Sequence, residues 1–246
     1  MLGRKILLIF VLMLAAVAAL NVTAGSWGET HLYRKDYDRI NGYYADIYYG
    51  AGCEDYGKAA IRITDTYYPY LMKEFGVSEK ARPEIVIHPD KEHMYAAMGR
   101  DYGEKPPMGA YSGGVIQVLS PECWAEREAD FIERFMEKGP LIHELAHFLL
   151  DKKTGGNYEI WFSEGVALYM EYKYIAFEWQ AQAEDGAKIS LAQMKDYFIS
   201  SKQASAYRMA FEQVKKLVDT YGENALLDIY NELAEGISFM AVIDNY

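Results

Sequence analysis

The sequence predicts an α+β protein, on three observations. Strand-forming runs are confined to the first half: Pro83-Glu84-Ile85-Val86-Ile87-His88-Pro89 and Val115-Ile116-Gln117-Val118-Leu119 are rich in β-branched residues and bounded by proline or glycine. From Trp124 onward, apolar residues recur at helical spacing, with glycines between the runs. No tandem repeat or low-complexity linker interrupts the chain. Strands segregated ahead of helices give a small N-terminal mixed sheet with helices, followed by a mainly helical C-terminal part.

Taken in order, the first 24 residues read as an export signal. Arg4 and Lys5 precede an unbroken apolar run from Ile6 to Leu20, and Val22-Thr23-Ala24 puts small residues where a signal peptidase reads, making Gly25 the expected mature start. The run is 15 residues long, shorter than the roughly 20 that span a bilayer; retention as an uncleaved anchor is the alternative. Residues 25–50 are rich in Tyr and show no assignable period. Between Asp55 and Phe75 the positions Ala59, Ile63, Tyr67, Tyr70 and Leu71 follow a helical stripe, and Gly76 suits a C-cap. After the two strands a helix is expected over 124–138, punctuated by Gly139. Pro140 fits the first turn of the next helix, where its missing N–H costs nothing. That helix should run through Leu150, with Lys152 and Lys153 near its negative end and Gly155-Gly156 stopping it. Further helices are expected over 160–180, 203–221 and 224–234.

The chain of 246 residues carries 25 basic against 36 acidic side chains, a net charge of −11. That balance argues against nucleic acid as a partner, because phosphate binding needs concentrated Lys and Arg. It suits solubility and would tolerate a basic peptide. Cys53 and Cys123 are an even count in a chain expected to mature in an oxidising compartment. Bridged, they would close a loop of about 70 residues, worth roughly 4 kcal/mol on the chain-entropy account. Two buried free thiols fit the sequence equally well.

The chemistry lies in His143-Glu144-Leu145-Ala146-His147. Residues four apart share a helix face, so both imidazoles can reach one ion. Two neutral imidazoles are good zinc ligands and leave room for a third ligand and a water. Glu144, one residue round, is offset too far to bind the same ion but near enough to take a proton from a water beside it. Leu141, Ile142, Leu145, Ala146, Phe148, Leu149 and Leu150 surround the motif as in a helix buried through a domain centre. The third-ligand candidate is Glu164, in Trp161-Phe162-Ser163-Glu164-Gly165-Val166-Ala167, with 16 residues between it and His147. That length holds a glycine turn and the start of an antiparallel helix. A His₂Glu set with an open fourth position is the catalytic arrangement of zinc. Gly165 would let helices approach closely.

These two motifs resemble the gluzincin zinc metallopeptidases, in particular the peptidase-MA-like group, and more remotely the aminopeptidases of that clan and thermolysin. The resemblance spans roughly residues 83–240 and is loose outside the motifs. It implies a zincin-like fold, Zn²⁺ held by His143, His147 and Glu164, and Glu144 as general base. It also implies an oxyanion-stabilising tyrosine beyond the third ligand, for which Tyr207 is the candidate; Tyr169, nearer the motif, is expected to be packed. One departure matters. The clan's aminopeptidases carry a Gly-x-Met-Glu-Asn stretch about thirty residues before the zinc motif, whose acid holds the substrate amine. The comparable place here, Gly114-Val115-Ile116-Gln117-Val118, lacks that acid, which disfavours aminopeptidase activity. The same segment is expected at the sheet edge, either pairing with an extended peptide or as an ordinary edge strand.

Lesser candidates are His88 and His93, read as surface loop histidines rather than a second metal site. Glu171 is read either as an acceptor orienting a ligand imidazole or as a solvent-facing carboxylate, and the polar stretch 178–188 as a loop by the cleft. The resulting expectation is an exported zinc peptidase, endopeptidase or oligopeptidase, acting on peptides or proteins. Residues 1–24 form the signal or a membrane tether, 25–82 an N-terminal segment with a helix packing on the catalytic domain, and 83–246 that domain. The location is secreted or extracytoplasmic, and the sequence is silent on oligomeric state. A catalytically silent zincin-like binding domain is the rival.

Overall fold

The computed structural model describes residues 36–78, 81–99, 107–126, 129–178, 189–200 and 203–246. The export segment, residues 25–35 and the polar stretch from 179 to 188 lie outside them.

The described residues fall into two compact units. The first takes the chain up to Thr66 together with Arg82–Glu144, and the second takes Tyr67–Ala81 with Leu145–Tyr246. The divide falls inside two continuous helices, α1 (Glu54–Phe75) and α4 (Leu141–Thr154).

The first unit is built on a five-stranded mixed sheet. Its strands are β1 (Asp38–Asn41), β2 (Asp46–Tyr49), β3 (Glu84–His88), β4 (Gly109–Ser112) and β5 (Val115–Leu119), in the order β1-β2-β3-β5-β4. The pairs β2–β3 and β3–β5 are parallel, while β1 and β4 pair antiparallel at the two ends. β5 is buried at all five positions, and Ile85, Val86, Ile87 and His88 of β3 are fully buried. Strands covered on both faces read as continuous apolar runs, which is why these two are visible in the sequence. The expectation that the segment 114–118 forms an edge is corrected: β5 is internal, and the edge is β4. The turn between them, Gly113-Gly114, has φ of 60° and 86°. A two-residue hairpin of this kind needs positive φ at both positions, which glycine supplies without steric cost.

Two other expectations are revised in this unit. The helix expected from Trp124 begins only at α3 (Phe131–Lys138), where the Asp130 carboxylate accepts from the amides of Ile132 and Glu133 and fixes the start. Ahead of it, Pro121–Cys123 form a short 3₁₀ turn. A short helix α2 (Lys91–Met98) follows β3, capped by Asp90 and ended by Gly99. The cysteines are separate thiols, Cys53 buried and Cys123 exposed, and burial pushes the Cys53 thiol up to about 12.

The second unit is helical: α5 (Ile160–Ile175), α6 (Met194–Ser200), α7 (Gln203–Tyr221), α8 (Ala225–Ala234) and α9 (Phe239–Ile243) join the C-terminal part of α4. α5 ends about five residues before the expected stop, at Ala176 in the left-handed region with φ 51°. Its centre packs along α7, and Gly165 permits that approach. A β-carbon there would stand 2.5 Å from the Ala210 carbonyl oxygen and 2.7 Å from Val214 Cγ2. Gly165 thus admits the backbone of α7. Among the described residues, no helix is long and apolar enough to cross a membrane.

Candidate metal centre

The His-Glu-x-x-His segment lies on α4, and every apolar neighbour in it from Leu141 to Leu150 is at most 3 % exposed. A helix that is apolar all round is a buried one, so its polar residues are the anomaly to explain. His143, Glu144 and His147 expose only 4, 3 and 9 % of their surface, and Glu164 on α5 only 2 %. One ligand atom from each of His143, His147 and Glu164 lies within 4.8 Å of the others.

Local structure explains how the carboxylate arrives there. Gly155 and Gly156 end α4, and the chain re-enters a helix at Ile160. Trp161 and Phe162, buried at the start of α5, stand edge-on to each other at 5.7 Å and both pack on Phe239 of α9. These large anchors fix the rotation of the first turn, and the next two residues, Ser163 and Glu164, turn toward α4. Glu164 Oε2 is 3.6 Å from His147 Nε2, and the Ser163 hydroxyl is 2.7 Å from His147 Nδ1.

The donor set fits a zinc ion. Two imidazoles and one carboxylate converging in a buried place are costly to desolvate unless a cation takes up their lone pairs. Three protein ligands with an open fourth position are the arrangement of catalytic rather than structural zinc. Where the sequence placed the three ligands on two neighbouring helices, the structure brings all three together.

Glu144 is positioned by the sheet unit. Gly109, the first residue of edge strand β4, lies against it: a β-carbon on Gly109 would meet Glu144 Oε1 at 2.9 Å and the Pro140 ring at 2.8 Å. The strand can run this close to the carboxylate only because it starts with glycine. Neither β4 nor this contact was expected from the sequence, and the only signal for them is Gly109 itself, ahead of a short strand with a double-glycine hairpin.

The other candidates are placed as follows. Tyr207 is on α7, buried, with its ring 5.4 Å from that of Phe198. Tyr169 is on α5, 6.3 Å from the Tyr172 ring. Glu171 is 7 % exposed, so the solvent-facing reading of it is set aside. His88 is not a loop histidine but the last residue of β3, wholly buried, with Tyr37 Oη at 2.9 Å from Nδ1 and Gln117 Oε1 at 2.5 Å from Nε2. His93 is exposed and paired with Asp90 at 2.6 Å. The residue that sequence reasoning missed is Ser163, visible in the motif but not recognised as the partner of His147.

Residues 128–245 match the family described as Peptidase MA superfamily. No curated protein matches the chain. Among solved structures, native yeast LTA4 hydrolase is similar with a TM-score of 0.51 and 13 % identity, over 85 % of this chain and 35 % of that one. The same enzyme in complex with bestatin gives a TM-score of 0.50 and 13 % identity, over 82 % of this chain and 34 % of that one. The chain therefore spans about a third of those relatives' length, and the likeness is one of fold. Together, the helix-borne ligand set and the family match place the helical half of this chain, residues 128–245, in the Peptidase MA superfamily.

Proposed function

We propose that this chain is a zinc-dependent peptidase that hydrolyses internal peptide bonds outside the cytoplasm. The observation that carries this reading is the convergence of His143, His147 and Glu164 within 4.8 Å, with Glu144 one residue along the same helix and 3 % exposed. The superfamily supports a metallopeptidase-like hydrolase; zinc, the peptide substrate and export are our extension of it.

Zinc held by the three ligands supplies Lewis acidity toward the scissile carbonyl and toward a water molecule. Glu144 accepts the proton of the attacking water and delivers it to the leaving amine, so that one water is consumed and one acid and one amine are formed. Burial of Glu144 keeps bulk water from competing for that proton. The strand β4, at the end of the described sheet and against Glu144, is the natural partner for an extended peptide, which would add to the sheet through main-chain hydrogen bonds. β4 reads Gly109-Ala110-Tyr111-Ser112 and carries no acid to hold a free amine. That supports an endopeptidase or oligopeptidase rather than an aminopeptidase. Tyr207, on the helix packed against α5, is assigned the oxyanion in this reading. Residues 1–24 direct export and are then removed or kept as a tether.

The test is metal content and cleavage of a peptide library by the exported protein, with Glu144→Gln in parallel. We expect about one zinc per chain, and cleavage that falls by about 100- to 10,000-fold in the variant while zinc stays bound. Zinc without cleavage in either protein would favour a catalytically silent domain. Absence of zinc from both would overturn the reading.

A further inference from the structure

We infer that Ser163 and Tyr158 form a neutral hydrogen-bonded relay that positions the imidazole of His147, holding its Nε2 toward the metal in place of the carboxylate that commonly orients a ligand histidine. The inference rests on the zinc reading of the preceding subsection and concerns residues that the ligand set does not include.

The geometry is compact. Ser163 Oγ lies 2.7 Å from His147 Nδ1 in a buried hydrogen bond. His147 Nε2 faces Glu164 Oε2 at 3.6 Å. An imidazole that ligates through Nε2 must carry its proton on Nδ1, so Nδ1–H donates and the serine oxygen accepts. The Ser163 hydroxyl is in turn hydrogen-bonded to the Tyr158 hydroxyl. Each link is therefore an uncharged hydroxyl, and the chain passes from the ring to a half-buried phenol.

The local backbone holds this relay in place from both ends. Ser163 is one residue before Glu164, so a single turn of α5 sets both the ligand and the orienting group. Tyr158 sits in the turn from α4 to α5, beside Asn157, whose carboxamide donates to the carbonyls of Leu233 at 3.0 Å and Ile237 at 2.7 Å. That double bond to the end of α8 fixes the turn, and with it the phenol. Partners of this kind set the tautomer and orientation of a ligand histidine, and losing one commonly costs about 10- to 100-fold in metal affinity. A neutral partner also adds no negative charge to the site. Glu164 is then the only anionic ligand, and the bound cation keeps more of its electrophilic character than it would with a second carboxylate behind His147.

The experiment measures zinc affinity of the full chain by competition with a chromogenic chelator, and the visible absorption of the cobalt(II)-loaded protein. The chains compared are the parent, Ser163→Ala, Ser163→Thr and Tyr158→Phe. We expect Ser163→Ala to bind zinc about 10- to 100-fold more weakly and to shift the cobalt bands. Ser163→Thr, which keeps the oxygen, should stay within about threefold of the parent, and Tyr158→Phe should fall between the two. Zinc-free thermal midpoints should agree across the series, because the relay acts on the metal and not on the apo fold. If the parent binds zinc and Ser163→Ala matches it in affinity and spectrum, the relay is wrong while the zinc reading stands. If the parent binds no zinc, both fall. Should Ser163→Ala not fold, equal affinity and spectra for Tyr158→Phe and the parent would overturn the relay as stated.

Discussion

His88 in the sheet unit and His147 in the helical unit are both buried imidazoles, and their surroundings require opposite tautomers. Gln117 Oε1, 2.5 Å from His88 Nε2, can only accept, so the proton sits on Nε2 and the Tyr37 hydroxyl donates to Nδ1. Both ring nitrogens are thereby consumed by neutral protein groups, and burial pulls the His88 pKa down to about 4. His147 gives one nitrogen to Ser163 and turns the other toward a carboxylate that is itself buried. The lesson is one of closure. A buried histidine whose two nitrogens are both satisfied by neutral partners belongs to the core, whereas one that shares an edge with another ligand is waiting for a cation.

The largest expected effect breaks this contrast directly. His147→Ala should reduce bound zinc below detection and activity with it, while the unfolding midpoint of the zinc-free protein changes little. His88→Ala should leave one zinc per chain and instead lower stability by about 2–4 kcal/mol, since it opens a cavity and strands the Gln117 amide. Metal analysis and urea unfolding on both variants decide it; zinc loss from His88→Ala would mean that the two nodes are not independent.

Gly109→Ala comes next, because it acts on Glu144 without touching a ligand. Its β-carbon would crowd Glu144 Oε1 and the Pro140 ring at under 3 Å. Displacing a catalytic group by about 1 Å can cost on the order of 100-fold, so kcat should fall by about that much at unchanged zinc affinity. A full retention of kcat would show that the carboxylate has room to move and that β4 does not position it.

How much of this was legible depended on what kind of signal each feature leaves. The ligand helix, β3, β5, α7 and α8 announce themselves because burial imposes a period or a continuous apolar run on the sequence. β1 and β2 do not: they sit at the sheet's end in a Tyr-rich stretch where exposed and buried positions mix, as in the pattern of β1, which has no fully buried residue. β4 has four residues, too few for any period. α2 is equally short, though Asp90 and Gly99 frame it and could have been read as its caps. At the site, the ligand types and spacing were fully visible, since metal chemistry restricts them to a few residues. Ser163 was not, because a serine in a helix leaves no periodic trace and its role exists only once α4 and α5 are packed. Gly165 was recognised as a point of close approach, and the structure gives α7 as the helix that uses it.

The acid side of the stability profile sharpens the contrast in a different way. An unfolded histidine titrates near 6.5, and His88 in the fold titrates at about 4, chiefly because burial disfavours the charged ring. Nearby His93 pushes in the same direction, while the hydrogen bond to Gln117 and the charge of Asp90 push back. Between these two values the unfolded chain binds more protons than the folded one, so stability rises with pH through the window. The contribution is complete above about 6.5 and lost as the pH falls to about 4, a change of roughly 3 kcal/mol at about 1.4 kcal/mol per pKa unit. Urea unfolding at several pH values should show this slope, and His88→Gln should flatten it.

The smallest effect is the most specific. Tyr37→Phe removes the hydroxyl that donates to His88 Nδ1 and leaves the ring, which stands edge-on to the imidazole at 5.6 Å. The buried Nδ1 lone pair then loses its donor while the Nε2–H bond to Gln117 persists, and the cost should be about 1 kcal/mol, that of one neutral hydrogen bond with its acceptor left in place. Zinc content should not change. The direction of the second response is the informative one: a ring with an unsatisfied lone pair takes up a proton more readily, so the acid limb of the stability profile should move to higher pH relative to the parent. A loss of stability without that movement would mean that the proton on His88 sits on Nδ1 after all, and the assignment of opposite tautomers to the two buried histidines would have to be reversed at the sheet.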